Sequence, residues 1–150
     1  MAISLKRILV AVDFGDTSSH AFDYALSLAR VFHAEVLAFH ILEDPVLYAP
    51  TADSSFPDAY ERVMKGNLDK LIQCHGSEGV RVETGMTSGA PFAEIVRKAR
   101  EWEADLIVIG THGHGPVNHM LLGSVAEKVV RKAGCPVLTV RRGQHDFVMP

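Results

Sequence analysis

Apolar and polar positions recur along this chain with two different periods, and the switches between them divide it into elements. Five stretches have the apolar content and the length of strands: Leu5 to Val12, Ala34 to Leu42, Val80 to Thr84, Asp105 to Ile109 and Pro136 to Arg141. Between them the apolar residues fall at three- and four-residue spacing. Ala21, Phe22, Ala25, Leu26, Ala29 and Phe32 share one helical face, with Asp16 or Thr17 placed to cap its start. A second helix is predicted over Phe56 to His75, weakened by Gly66. A third covers Pro91 to Glu101, where a first-turn proline lacks only an N–H that no helix would use. A fourth begins near Ser124 and ends by Ala133-Gly134, since glycine suits a C-cap.

Strands alternating with helices need right-handed crossovers, which build a mostly parallel sheet with helices on both faces. The predicted class is therefore α/β, a three-layer α/β/α sandwich around a five-stranded parallel sheet. Ile8 to Val12, Val36 to Leu42 and Leu106 to Ile109 are almost continuously apolar, as strands covered on both sides must be. "VRVET" instead alternates apolar with polar, so the third strand is placed at an edge. That gives the order 3-2-1-4-5, with the switch point between strands one and four, where such sheets bind ligands. Pro136 to Arg141 forms the other edge, and its Val137, Leu138 and Val140 would be protected by pairing with a second copy.

Length and composition narrow the partners. A chain of 150 residues fits one domain, here a core of about 5–142 with a short tail at 143–150. Its formal charge of -3 disfavours nucleic acid and acidic membrane as the main partner, because phosphate backbones call for a basic surface. Cys74 and Cys135 form no C-x-x-C pair and read as buried free thiols. The start "MAISLKRILVAV" is too briefly apolar for a signal peptide or a membrane span, which points to the cytoplasm.

Two connections exceed the usual length for this class: Glu43 to Ser55, read as a flap, and Thr111 to Leu122. The second lies within "GTHGHGPVNHMLLGS", Gly110 to Ser124. His112, His114 and His119 have an H-x-H-x4-H spacing, yet the flanking glycines leave the chain too adaptable to fix a ligand set, and no acid follows before Glu127. No metal ligands are assigned. Glycine chemistry reads better: Gly110, Gly113 and Gly123 allow close approach of a ligand, and Gly123 precedes a helix start, whose free N–H groups suit an anion. Ser124 could donate to a phosphate oxygen. "SVAE" is also a capping box, in which Ser124 and Glu127 would satisfy each other's amides. Neither a Walker A lysine nor a complete G-x-G-x-x-G is present, so a dinucleotide is disfavoured.

Gly110, Gly113, Gly123 and Ser124 give G-x2-G-x9-G-[ST], which resembles the signature of the ATP-binding branch of the universal stress proteins. "KRILVAVDFGDTSSHAFDYALSLAR", "ADLIVIGTHG" and "LLGSVAEKVVRKAGCPVLTVRR" resemble the family's first strand and helix, fourth strand, and closing helix and edge strand. The resemblance covers residues 5–142 and implies a Rossmann-like domain that dimerises through strand five. It implies that Asp13 contacts the nucleoside, Ile41 lines the adenine pocket, and Gly110, Gly113, His114, Gly123, Ser124 and Val125 surround ribose and phosphates, with Ala11, Val12 and Ile109 at the adjoining strand ends. The implied ligand is ATP, ADP or AMP, with Mg as companion of the phosphates. The chain departs from the family at Ala11, where proline is common, and in its histidine-rich loop.

Three function classes follow. The first is a nucleotide-dependent regulator with slow or no hydrolysis, because no catalytic residue is assigned: Lys128, Arg131 and Lys132 lie a turn or more beyond the helix start, without a residue to orient water. The second is a nucleotide-free dimeric interaction module of the same fold. The third, a nucleotidyl transferase or ATP pyrophosphatase, would call for H-x-G-H or a serine-glycine loop after strand one, and "DFGDTSSH" has neither.

Overall fold

The computed structural model describes residues 2–42, 56–111 and 123–141. Five parallel strands, β1 (Arg7–Ala11), β2 (Glu35–Leu42), β3 (Val82–Ser88), β4 (Leu106–Gly110) and β5 (Val137–Val140), pair in the order β3-β2-β1-β4-β5. The helices between them are α1 (Asp16–Phe32), α2 (Phe56–His75), α3 (Pro91–Glu101) and α4 (Ser124–Lys132). The order 3-2-1-4-5 is the one that the patterning predicts.

Side-chain alternation sorts the core into two halves. Ile8 and Val10 of β1, Val12 just beyond it, and Val36 and Ala38 of β2 face α1 and α2, meeting Phe22, Leu26 and Leu68. Leu9 of β1, Leu37, Phe39 and Ile41 of β2, and Ile107 and Ile109 of β4 face α3 and α4, meeting Ile95, Ala99, Ala126 and Val129. Successive residues of a strand point to opposite sides, so an unbroken apolar run is what a sheet covered on both faces requires. Phe22 and Phe39, both within 2% of full burial, each contribute about 1.5–3 kcal/mol of apolar transfer free energy.

Several local expectations are corrected. β3 does not stop at Thr84: it pairs with β2 from Val82 through Ser88. Gly85 lies within the strand, opposite Phe39, and a Cβ there would lie 3.1 Å from the Phe39 ring. The glycine makes room for a large neighbour within the strand. Phe32 is 48% exposed, because the last turn of α1 projects past the sheet and lines an open cavity with Ile3 and Arg81. α1 is capped by neither Asp16 nor Thr17; its N-cap is Gly15, with no side-chain bond. α4 ends on Ala133 in extended backbone, ahead of Gly134. Cys74 is exposed and Cys135 half-buried, so neither is the buried thiol expected. Burial first, then the Asp105 carboxylate, raises the Cys135 thiol above its ordinary range, which keeps it protonated near neutrality.

Candidate functional site

β1 and β4 lie side by side in register from Ile8 and Leu106 to Val10 and Val108. Beyond that point their continuations part. Val12 N donates to Phe39 O of β2 at 2.9 Å, whereas Thr111 N donates to Val140 O of β5 at 2.9 Å. One chain then enters α1 on one face of the sheet, and the other leads to α4 on the opposite face. Divergence of two neighbouring strands at their carboxyl ends opens the crevice in which doubly wound sheets take ligands.

The wall from β1 is a tightly bonded turn. Asp13 Oδ1 accepts from Gly15 N at 2.8 Å, and Asp13 N donates to Ser18 Oγ at 3.0 Å. Ser18 Oγ also lies 3.5 Å from the Ala11 carbonyl. Phe14 between them takes a left-handed backbone, φ 64°. The Asp13 carboxylate is exposed, so it both holds the turn and presents an oxygen to solvent.

The wall from β4 is built around Gly110, which has a packing role that the sequence reading did not assign. A Cβ on Gly110 would lie 2.9 Å from Thr17 Cγ2 and 3.2 Å from the Thr17 backbone. Gly110 therefore makes room for the first turn of α1; its backbone is not in the positive-φ region that only glycine favours. Past the buried Thr111, the chain returns at Gly123, whose N donates to Thr111 O at 2.7 Å. Gly113 and His114, with His112 and His119, lie outside the described residues, as do the Glu43 to Ser55 segment and the tail.

The predicted capping box at α4 does not form. Gly123 is the N-cap, with no side-chain cap bond. Glu127 N donates to Gly123 O at 2.9 Å, while the Glu127 carboxylate pairs with Arg131 at 2.9 Å. Ser124 is thus the first helical residue, exposed, with its hydroxyl not spent on capping. Ile41, Ile109 and Val125 belong to the α3/α4 face along with Ala11, and Val12 points to the other face. At the carboxyl ends of these strands Asp13 and Ser124 are both exposed, and Ser124 stands in the first turn of α4.

One residue escapes the sequence reading. His40 interrupts the otherwise apolar run "EVLAFHIL", is 8% exposed, and its Nδ1 lies 2.7 Å from Val12 O. A lone polar residue in a buried strand was the available signal.

A cavity of about 740 Å³ lies elsewhere, at the amino ends of the strands. It is broad, and its charges serve each other: Arg81 contacts Glu35 at 3.6 Å and Glu83 at 2.9 Å.

The universal stress protein family model matches residues 4–141. The chain belongs to the universal stress protein family. Among relatives of this universal stress protein, MJ0531 of Methanocaldococcus jannaschii is 36% identical, over 94% of this chain and 85% of its own length. The structure of protein MJ0577 of the same organism superimposes with a TM-score of 0.82 at 26% identity, over 95% of this chain and 100% of that one. A universal stress protein of Archaeoglobus fulgidus in complex with dAMP has a TM-score of 0.64 at 26% identity, over 93% and 99% of the two chains. The Rossmann-like α/β architecture expected from the sequence is shared with these neighbours.

Proposed function

We propose that this universal stress protein is a nucleotide-dependent regulator of the stress response that binds ATP in the β1–β4 crevice. The observation that carries this reading is Ser124: its hydroxyl stands exposed in the first turn of α4 and makes no cap. An anion placed there meets the hydroxyl, the helix N–H groups and the positive end of the dipole together. Asp13 takes the nucleoside by accepting from a ribose hydroxyl or the adenine amine. Ala11, Val12, Ile41, Ile109 and Val125 supply the apolar contacts, and Gly110, Gly113, His114 and Gly123 line the phosphate side. The dAMP complex of the Archaeoglobus fulgidus relative supports an adenine nucleotide as ligand.

Mg accompanies the phosphates in this reading. Among the described residues no group of three or more His, Cys, Asp or Glu forms a metal cage. Mg usually keeps several waters and is held largely by the phosphates themselves, so it calls for no dedicated cage of protein ligands. Turnover is slow or absent, because two cations of α4 are engaged elsewhere: Lys128 lies 5.0 Å over the Phe92 ring and Arg131 pairs with Glu127. No helix of the described residues is long and apolar enough to cross a membrane, in keeping with a cytoplasmic regulator. β5 pairs only with β4 among the described strands, and a second copy docked along Pro136 to Arg141 would cover that edge.

A nucleotide-free interaction module is the second reading, favoured by the fact that packing against Thr17 accounts for Gly110 without any ligand. Acid extraction of the purified protein followed by nucleotide chromatography separates the two. Released adenine nucleotide, or a thermal shift with millimolar ATP and Mg, supports the first reading; an empty extract with no shift supports the second. A monomeric mass at micromolar concentration would remove the dimer.

A further inference from the structure

His40 is a costly choice for the place it occupies. It sits between Phe39 and Ile41 in a strand buried on both faces. Its Nε2 is buried and has no hydrogen-bond partner among the described residues. A leucine or phenylalanine would fill this position without an unpaired ring nitrogen, so packing alone does not account for the imidazole.

What the imidazole does is hold the turn that carries Asp13. A carbonyl oxygen can only accept, so the 2.7 Å contact with Val12 O requires a proton on Nδ1. The ring therefore donates to the peptide immediately before Asp13. The Phe14 ring lies 4.7 Å from the His40 ring, tilted by 49°, so the same side chain packs against the residue immediately after Asp13. Phe14 pays for a left-handed backbone at φ 64°, an arrangement that persists only when its surroundings over-determine it. Both shoulders of Asp13 thus rest on one imidazole, while its carboxylate remains exposed.

We propose that His40 is the positioning residue for Asp13, fixing the direction in which this carboxylate meets the nucleoside. The assignment rests on the nucleotide-binding reading above for its consequence, and on the Val12 and Phe14 contacts for its geometry. His40 itself touches no ligand and acts through the Asp13 turn.

The test is a double-mutant cycle read as ATP–Mg affinity by calorimetry. His40→Leu should weaken binding about tenfold, the scale of one lost hydrogen bond. His40→Asn, whose side-chain amide places a donor near the Nδ1 position, should recover affinity to within about threefold. In an Asp13→Ala background, His40→Leu should change affinity by less than about twofold, because the residue through which it acts is gone. The proposal is overturned if His40→Leu costs as much in that background as in the native protein, or if a folded His40→Asn binds no better than His40→Leu. Where His40→Leu does not fold, His40→Gln replaces it, since its amide lies one bond too far out.

A second measurement stands apart from binding. Amide exchange of Gly15, whose N–H is held by Asp13 Oδ1, should quicken about tenfold in His40→Leu and stay near native in His40→Asn. Unchanged Gly15 exchange in His40→Leu overturns the positioning role even where ATP binds. Native protein that takes no ATP overturns only the binding reading, and Gly15 exchange then decides the role of His40.

Discussion

The two ends of the sheet deal with polar groups in opposite ways. At the amino ends they are satisfied internally: Asp105 accepts from Lys6 N at 2.8 Å and Arg7 N at 2.9 Å. Arg7 in turn bonds Glu35 and Glu103 and lies over Trp102. At the carboxyl ends, two helices start on glycines without a side-chain cap, and Ser124 and Asp13 stay exposed. Polar groups that a fold pairs internally stabilise it; those it leaves open at a switch point are available to a ligand.

The sharpest way to break this contrast is Gly110→Val. Its branched side chain would run into the α1 backbone, so a loss of about 1–3 kcal/mol in urea unfolding is expected, together with weakened ATP binding as Thr17 and Ser18 are pushed aside. Native stability in this variant would show that the contact at 2.9 Å relaxes freely. Asp105→Ala tests the opposite end. Removing the acceptor of two backbone amides should cost about 1–3 kcal/mol, with the ATP affinity of the folded protein unchanged; a matching loss of affinity would mean that the ends are not independent. Ser124→Ala has the smallest expected effect on stability, within about 0.5 kcal/mol, because no cap is lost. Its ATP affinity should nevertheless fall several-fold. A destabilisation of about 1 kcal/mol with unchanged affinity would restore the capping role and remove the phosphate contact.

Sheet order was legible because burial writes itself into a strand: "VRVET" must be an edge, and runs such as Ile8 to Val12 must be central. What stayed hidden depends on neighbours distant in sequence. Gly85 leaves room for the Phe39 ring, and Gly110 for Thr17, contacts that no local pattern announces. "SVAE" satisfies the capping pattern, yet Gly123 takes the cap and Arg131 takes the glutamate. Local rules give the options at a helix start, and the direction from which the chain enters chooses among them. Asp13 entered through the resemblance; His40 was missed because its hydrogen-bond partner, the Val12 carbonyl, lies 28 residues away.

The bond from Gly123 N to Thr111 O joins the start of α4 directly to the end of β4. The scaffold itself brings the two ends together and fixes them, β4 to β5 on one side and α4 on the other. A backbone bond between the end of one strand and the start of one helix works as a clasp: the first turn of α4 is held to β4 by the frame's own peptide groups.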